Sequence, residues 1–262
     1  MIIYPVCSSS KGNCLYVQGE EGKAILIDLG IGVRTLDALL QKANFSLNNV
    51  VAVFLTHEHA DHVSGLGSFV KNFKKIPVFG SKKTLNSLAA KGMLSCYANV
   101  FEFNCQKIKV ADLSVSSFEV SHDCFCLAFC IFCGLKKLSI CTDLGCITST
   151  VLNNLVGSNF VFLESNFDVK MLREGVYPAF LKKRITSKFG HLSNNDASKL
   201  ICWLVFNGVN RFLLGHLSQN NNMPYLAKQT VISSLAKYHF KQECDYFLDV
   251  ASVKGNGVFY EV

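Results

Sequence analysis

The sequence predicts an α/β fold built from two halves that each combine strands with helices. Strand-like and helix-like segments alternate along the 262 residues, and no Gly-, Pro- or Ser-rich linker divides them. Each half contains an apolar strand that ends in an aspartate, Asp28 in the first half and Asp143 in the second. Such halves fit two sheets packed face to face with helices outside, and ligand sites in α/β architectures tend to lie at strand ends.

Apolar residues in alternation or in a short continuous run predict strands, and apolar residues three or four apart predict helices. In the first half, about residues 1–105, these patterns predict strands at 14–18, 23–29 and 50–56 and helices at 34–43, 64–73 and 82–91. In the second half, about residues 106–262, they predict strands at 113–120, 126–133, 136–142, 159–164, 210–215 and 257–262 and helices at 167–174, 178–188, 194–206 and 223–238. A capping box of Ser193 and Asp196 opens the 194–206 helix. We expect residues 1–262 to form a single domain.

Composition favours a cytoplasmic protein with no membrane span. No apolar run approaches the roughly 20 residues that cross a bilayer, and the N-terminus lacks the basic and apolar regions of a signal peptide. The 12 cysteines are scattered, and we interpret them as reduced core residues rather than as disulfides or as a metal or redox pair at Cys130 and Cys133. The net charge of +7 fits a polyanionic partner.

The most informative segment is His57-Glu58-His59-Ala60-Asp61-His62, which directly follows an apolar, strand-like run. Imidazole and carboxylate groups at this density are typical of sites for divalent transition metals, above all zinc. Alternate residues of an extended segment point the same way, so His57 and His59 can hold one ion. Asp61 and His62 come after the chain turns and can reach a second ion.

Polar residues of the ligand type also follow other apolar strands, at the points where those strands end. They are His122, Asp143, Glu164 and His216. A single histidine or aspartate after a strand is more often a turn former or a cap, but their recurrence at several strand ends indicates one site. His239 lacks this context, and we interpret it as structural.

The six-residue motif, followed in order by His122, Asp143 and His216, resembles the metallo-β-lactamase superfamily over essentially the whole chain. The resemblance implies a four-layer αβ/βα sandwich with two divalent metal ions at one edge. It assigns the first metal to His57, His59 and His122. It assigns the second metal to Asp61, His62 and His216, with Asp143 as a bridge between the two. Asp28 matches the position that supports the histidine loop. Three imidazoles favour Zn²⁺, whereas oxygen-rich coordination at the second position tolerates Mn²⁺.

Glu164 and His191 form an additional pair that distinguishes branches of the superfamily. Their order is similar to that of the nucleic-acid-cleaving branch, which includes RNase J and the polyadenylation endonuclease. In that branch a carboxylate orients a histidine that can protonate the leaving oxygen. The position of Asp143, where many true β-lactamases carry cysteine, also argues against an antibiotic hydrolase. The alternative for His191 is a loop histidine with a local hydrogen bond.

A basic run precedes His191 and would place positive charge beside the metals. We expect it to hold a phosphate backbone and to make binding sensitive to salt. The candidate residues for contact with nucleic acid are Lys182, Lys183, Arg184 and Lys188, together with Ser10 and Asn13.

The finer resemblance is to the YycJ/WalJ-like family of small bacterial proteins. It rests on the segments Ser8–Asn13, Cys141–Gly145, Leu163–Asn166 and Gly190–Asn194. The chain is too short for the inserted second domain of RNase J and the polyadenylation enzymes. The family resemblance implies 5′→3′ exonuclease activity on DNA.

The sequence therefore predicts a dinuclear metal-dependent phosphodiesterase that acts on DNA, with RNA as a further candidate substrate. A metal-bound hydroxide would attack, Asp61 would orient the water, and His191, steered by Glu164, would donate a proton to the departing O3′. The alternative function is a small-molecule hydrolase that acts on a thioester, a lactone or a cyclic phosphodiester. A third hypothesis is a non-enzymatic binding module, against which the full set of metal ligands argues. The oligomeric state is not predicted.

Overall fold

The computed structural model describes residues 1–94 and 99–262, which form two compact units. The first unit comprises residues 1–117, 131–136 and 252–262. The second unit comprises residues 118–130 and 137–251. The first unit extends past residue 105 to residue 117 and also takes in two later segments of the chain. The single domain over residues 1–262 stays a prediction.

The described residues form two mixed sheets. In chain order the strands are β1 (Ile2–Ser9), β2 (Gly12–Gln18), β3 (Ala24–Ile27), β4 (Val50–Phe54), β5 (Val78–Gly80), β6 (Val100–Glu102), β7 (Lys107–Val110), β8 (Leu113–Val120), β9 (Cys126–Cys133), β10 (Lys136–Cys141), β11 (Phe160–Glu164), β12 (Arg211–Gly215), β13 (Phe247–Val250) and β14 (Tyr260–Glu261). The first sheet has the order β14-β1-β2-β3-β4-β5-β6, and the second has the order β13-β12-β11-β10-β9-β8-β7.

Helices connect the successive parallel strands of each sheet. They are α1 (Val33–Lys42), α2 (Ala60–Val63), α3 (Leu66–Asn72), α4 (Lys82–Ala90), α5 (Ser149–Leu155), α6 (Val169–Glu174), α7 (Ala179–Ile185), α8 (Asn194–Phe206) and α9 (Pro224–Ala236). A short 3₁₀ turn covers Leu47–Asn49. Across the described ranges, none of these helices has the length and apolar character needed to cross a bilayer.

In the first unit, β3 and β4 carry polar residues to a shared edge of the sheet. The two strands are apolar, almost fully buried and parallel, with Ile27 paired to Phe54. The residues that follow them therefore emerge side by side. Asp28 continues the pairing by donating its backbone N–H to the carbonyl of Phe54 at 2.9 Å. The segment Thr56–His57 lies beyond the end of β4.

In the second unit, the parallel strands β10, β11 and β12 have the same effect. Cys141 pairs with Leu163, and Glu164 pairs with Gly215, so the carboxyl ends of the strands are level. Large buried rings such as Phe160, Phe162 and Phe212 fill the interior around these strands.

Most of the predicted elements are present. The predicted strands 113–120 and 126–133 and the predicted helix 194–206 have the observed bounds. The patterns missed β1, because Pro5 argues against a regular strand and the β1–β2 register shifts between Pro5 and Cys7. They also missed the short strands β5, β6, β7 and β13 and the helices α2 and α5. The predicted α/β class is confirmed.

Candidate metal centre

The loop after β4 brings the motif histidines of the first unit together. His57 and His62 are buried, and their ring centroids are 4.2 Å apart. The rings of His57 and His59 are 4.5 Å apart, because the chain is extended there and α2 begins only after His59. Asp61 Oδ2 lies 3.4 Å from Nε2 of His62. The motif spacing predicts that His57 pairs with His59 and Asp61 with His62; in the structure the His57 ring lies beside both His59 and His62. The assignment of these pairs to two ions stays a prediction.

Asp28 and Thr56 support this loop through hydrogen bonds. Asp28 Oδ1 accepts the backbone N–H of Thr56 at 2.8 Å, and Oδ2 accepts the Thr56 hydroxyl at 2.8 Å. The same Oδ2 lies 2.7 Å from Nδ1 of His62. The Asp28 carboxylate thus fixes both the end of β4 and the start of the helical turn, as its predicted supporting position implies. Thr56 was not predicted, although its place directly before His57 is visible in the sequence.

These hydrogen bonds determine which ring nitrogens of the first unit carry protons. The Thr56 hydroxyl proton points to Asp28, so its oxygen accepts from Nδ1 of His57 at 2.9 Å. A carboxylate only accepts, so Nδ1 of His62 also carries a proton. Nε2 of both rings is then left with a lone pair, which is the form of histidine that binds metal.

Asn13 and Gly30 hold the loop from the neighbouring strands. The amide of Asn13 donates to Oδ2 of Asp61 at 3.2 Å and lies 3.1 Å from Nε2 of His62. Gly30 leaves no room for a side chain, because a Cβ there would collide with the backbone carbonyl of Asp61. Contact between Asn13 and nucleic acid stays a prediction, as it does for Ser10, which is exposed in the turn between β1 and β2.

The second unit gathers the strand-end residues into a second cluster. The cluster consists of Asp143, Glu164, His191 and His216. Each residue has one possible ligand atom that lies within 4.8 Å of those of the other three. All are buried except His191, whose side chain is 18% exposed. The sequence predicts Asp143, Glu164 and His216 at strand ends, and they lie at the ends of β10, β11 and β12, whereas His191 lies in the loop before α8.

Glu164 is the centre of this cluster. Its Oε1 accepts from Nδ1 of His191 at 2.8 Å and from Nδ1 of His216 at 2.7 Å. Its Oε2 accepts the backbone N–H groups of Leu144 and Leu192, at 3.3 Å and 3.0 Å. Burial favours the neutral acid, but the charge of His191 and the hydrogen bonds from both histidines outweigh it and lower the pKa of Glu164 to about 2. The carboxylate is therefore ionised and leaves Nε2 of both histidines available.

His122 lies at the end of β8 in the same unit. Its Nδ1 is 3.1 Å from the carbonyl of Gly190, which only accepts, so Nε2 again has the lone pair. Burial lowers the pKa of His122 more than the nearby carboxylates raise it, which keeps the ring in the neutral form that coordinates metal. The sulfur of Cys124 lies within 4.8 Å of the ligand atom of His122. The sequence analysis did not predict this residue. The one sequence feature that could have indicated it is its position two residues after His122.

Three site residues have a left-handed backbone, which is uncommon for residues other than glycine. They follow strands in both units and have φ of 62° at Asp28, 58° at Asp143 and 54° at His216. Aspartate and histidine are among the residues that enter this region more readily than most. At each of these residues the backbone changes direction sharply, so the chain does not continue along the axis of the strand.

The basic run lies on and after α7, a helix with no buried residue. Lys183 is exposed, and the amine of Lys182 donates to the carbonyl of Arg173 at 2.8 Å. The amine of Lys188 lies 5.0 Å from the centre of the Phe189 ring. Arg184 is bound to Asp123 by Nε at 2.7 Å and by Nη2. The helix is shorter than predicted because turns replace it after Ile185.

The donor chemistry of both units fits divalent transition metals. The first unit offers three imidazoles and a carboxylate from one loop, and the second offers imidazoles with buried carboxylates. An oxygen atom holds Nδ1 of four of the histidines, which is the usual support of metal-binding histidines; they are His57, His62, His122 and His216.

Comparison with known proteins identifies the family. The family model of the metallo-beta-lactamase superfamily matches residues 10–94. Exodeoxyribonuclease YycJ of Bacillus anthracis is 35% identical over 242 residues, which cover 90% of this chain and 89% of that protein. Exodeoxyribonuclease WalJ of Streptococcus pneumoniae serotype 2 is 31% identical over 237 residues, 88% of this chain and 87% of that one.

A solved structure agrees at the level of the fold. Zn²⁺-bound PqqB from Methylobacterium extorquens has a TM-score of 0.73 at 14% identity and is matched over 100% of both chains. The predicted metallo-β-lactamase fold class is thereby confirmed. The chain belongs to the YycJ/WalJ-like family of hydrolases within the metallo-β-lactamase superfamily.

Proposed function

We propose that the protein is a metal-dependent 5′→3′ exonuclease that hydrolyses phosphodiester bonds of DNA. The observation that carries this proposal is the buried Glu164 bound to the partly exposed His191 within a cluster of metal-binding residues. The names of the curated relatives, both exodeoxyribonucleases, support the choice of DNA over RNA.

The ligand order of the superfamily supports two metal ions. We assign one ion to His57, His59 and His122. We assign the other to Asp61, His62 and His216, with Asp143 shared between the two. When bound, two divalent ions lower the pKa of an attacking water and neutralise charge on the phosphoryl oxygens. Zinc is the favoured ion because imidazoles predominate in the first set.

Asp61 has a supporting role beside the nucleophile. The amide of Asn13 holds its Oδ2 at 3.2 Å, which fixes the carboxylate, and its side chain is 23% exposed. A fixed, partly exposed carboxylate can accept a hydrogen bond from the attacking water and so orient it.

His191 is proposed as the general acid. Its Nδ1 is bound to Glu164 and its side chain is partly exposed, so Nε2 is the nitrogen that can face the substrate and deliver a proton to the departing O3′. Glu164 also fixes the orientation of the ring. In catalytic histidine–carboxylate pairs the histidine usually transfers the proton and the carboxylate orients the ring, and we assign the same roles here.

The exposed basic run would hold the phosphate backbone on the side of His191. Lys183 and Lys188 are exposed, and the half-buried Lys182 donates its amine to the backbone carbonyl of Arg173 and keeps its charge. Ionic contacts of this kind bind any sequence and weaken as salt rises. Binding without sequence preference suits an exonuclease, which must step along its substrate.

The proposal is tested by digesting 5′- and 3′-labelled single- and double-stranded DNA and RNA with metal-free protein reconstituted with Zn²⁺ or Mn²⁺. We expect DNA to be shortened from its 5′ end, with activity lost in EDTA and restored by metal. The Asp61→Ala variant is expected to be inactive.

Full activity of Asp61→Ala would overturn the mechanism. Hydrolysis of a thioester or lactone by protein that binds two metals, at a rate indifferent to salt and to competing single-stranded DNA, would replace the nuclease by a small-molecule hydrolase.

A further inference from the structure

A groove of about 550 Å³ lies between α8 and α9 of the second unit. Small side chains form its floor, among them Ser198 of α8 and Ser234 of α9, whose hydroxyl oxygens are 3.2 Å apart. Larger aromatic side chains form its walls, and they are Trp203, Phe206 and Tyr238. Because the two helices contact each other there through small residues, the bulky rings are left at the sides of the groove. We call this feature the α8–α9 groove.

The lining residues of α8 form a stripe along one face of the helix. Asn195, Lys199, Trp203 and Phe206 are three or four residues apart, which places them on the same face. The stripe begins four residues after His191, the proposed general acid, and leads away from it. At a rise of about 1.5 Å per residue it is about 16 Å long. Stacked nucleotides rise about 3.4 Å each, so the groove accommodates at most about five of them.

The aromatic rings of the groove are accessible to a ligand. Trp203 is 38% exposed, Phe206 60% and Tyr238 55%, although tryptophan is highly buried in most proteins. Phe206 packs edge-on against Tyr238 and Phe240, with both centroid distances at 5.2 Å, so the rings support one another. Contiguous apolar surface that is rimmed by polar residues is typical of a binding site.

Lysines lie beside the rings on both helices. Lys199 and Lys237 line the groove, and both are exposed. The amine of Lys199 is 2.8 Å from Asp196, but this ion pair is exposed, and exposed pairs contribute so little that a phosphate can replace the carboxylate. Aromatic rings with adjoining cations are the chemistry that binds single-stranded nucleic acid, because bases stack on the rings and phosphates pair with the cations.

The lining favours a nucleic acid strand over a protein helix. An amphipathic helix docks its apolar face into a hydrophobic groove. Of the described residues that line the α8–α9 groove, none is Leu, Ile, Val or Met, and its floor carries the hydroxyl groups of Ser198 and Ser234. Bases have flat apolar faces and polar edges, which suit aromatic walls over a polar floor. The net charge of +7 also complements a polyanion.

We propose that the α8–α9 groove binds single-stranded DNA, with bases stacked on Trp203 and Tyr238 and phosphates at Lys199 and Lys237. This inference rests on the DNA substrate of the proposed function. The lining residues include none of the proposed metal ligands and none of the basic run 182–188. The groove is therefore a second contact with the strand, and it keeps the substrate bound between successive cleavages.

The test uses the fluorescence of Trp203, which is the only tryptophan of the chain. Metal-free protein in EDTA is titrated with a short oligo(dT) strand at several salt concentrations. A base that stacks on the indole ring quenches its emission. We expect saturable quenching, with an affinity that falls as salt rises.

Tyr238→Ala is expected to bind oligo(dT) about 5- to 150-fold more weakly, the usual loss when a base-stacking ring is removed. Tyr225→Ala is the matched control, because Tyr225 is a 70% exposed tyrosine of α9 outside the groove lining, and it should bind like the wild type. If Tyr238→Ala does not fold, Tyr238→Leu keeps an apolar side chain against Phe206 and removes the ring. It is expected to show the same loss.

The double variant Lys199→Gln/Lys237→Gln tests the phosphate contacts. The slope of log affinity against log salt should fall by about 1.4, since each phosphate contact of a single strand contributes about 0.7. The control is Lys82→Gln/Lys83→Gln, which removes the same charge from exposed positions of α4 in the first unit and should leave the slope unchanged.

Binding of oligo(dT) without quenching of Trp203, or equal affinities in Tyr238→Ala and Tyr225→Ala, would overturn the inference. Quenching by poly-glutamate but not by oligo(dT) would indicate an acidic protein partner and would overturn it as well. None of these titrations measures cleavage. Quenching by oligo(dT) in protein that cleaves no DNA once metal is restored would contradict the proposed function and leave the groove as a DNA-binding site.

Discussion

His216 is hydrogen-bonded through Nδ1 to Oε1 of Glu164 at 2.7 Å, and this oxygen also accepts from His191 at 2.8 Å. One buried carboxylate therefore orients a proposed metal ligand and the proposed general acid together. A change at Glu164 is expected to affect metal binding and proton transfer at once, whereas a change at His191 is expected to affect proton transfer alone.

Glu164→Gln is expected to destabilise the protein. The carboxylate satisfies two imidazole donors with one oxygen and two backbone donors with the other, and a glutamine has only one accepting atom. One pair of donors is left unpaired, at about 1–3 kcal/mol for each buried group. Urea unfolding of the metal-free protein measures the loss, with Glu174→Gln, an exposed site, as the control. Equal free energies of unfolding for the two variants would contradict the four-contact arrangement.

Thr56→Val is expected to weaken metal binding at His57. The substitution keeps the shape of the side chain but removes the hydroxyl that accepts from His57 and donates to Asp28. Loss of such a supporting hydrogen bond reduces metal affinity by about 10- to 100-fold. Zinc titration measures the effect, and Thr56→Ser, which keeps the hydroxyl, should bind like the wild type. A wild-type affinity for zinc in Thr56→Val would show that the Thr56 hydroxyl does not contribute to metal binding.

His191→Ala is expected to lower kcat by about 10²- to 10⁴-fold, the usual contribution of a general acid. Its metal content should stay at the wild-type value, because its ring is not assigned to either ion. Single-turnover cleavage of DNA together with metal analysis separates the two effects. His239→Asn is the control, since His239 is exposed and its left-handed backbone, φ of 66°, tolerates asparagine. A wild-type kcat in His191→Ala would contradict the proposal that His191 is the general acid.

Replacing Lys182, Lys183 and Lys188 together by glutamine is expected to raise KM for DNA and leave kcat nearly unchanged. The slope of log affinity against log salt should fall by about 2–3, since each phosphate contact contributes about 0.7–0.9. A triple variant at the exposed Lys71, Lys74 and Lys75 removes the same charge elsewhere. If both triple variants change the slope equally, net charge rather than this run governs binding.

The sequence was sufficient to locate the candidate site residues because many of them follow continuous apolar strands. A buried parallel strand ends where its apolar run ends, so the residue after it, such as Asp28 or His216, is located by the pattern alone. The motif His57–His62 adds a spacing that few other functions require. Both features involve residues that are close together in the chain, and such features can be recognised in a single sequence.

The supporting contacts could not be predicted, because they join residues that are distant in sequence. The amide of Asn13 meets Asp61 across 48 positions, and Arg184 meets Asp123 across 61. The sequence suggested contacts with nucleic acid for Asn13 and Arg184 because both are polar and near motifs. Only the fold shows that their side chains are directed to carboxylates of the protein.

The left-handed backbone at Asp28, Asp143 and His216 has a consequence for engineering. A side chain in this conformation costs roughly 1–2 kcal/mol relative to the ordinary right-handed region, whereas glycine adopts it freely. Asp28 and His216 offset this cost with buried hydrogen bonds that glycine would lose. A laboratory selection for heat resistance alone would therefore favour glycine at Asp143 and discard a proposed metal ligand. Stabilised variants of this enzyme family have to be selected for thermal resistance and hydrolysis in the same screen.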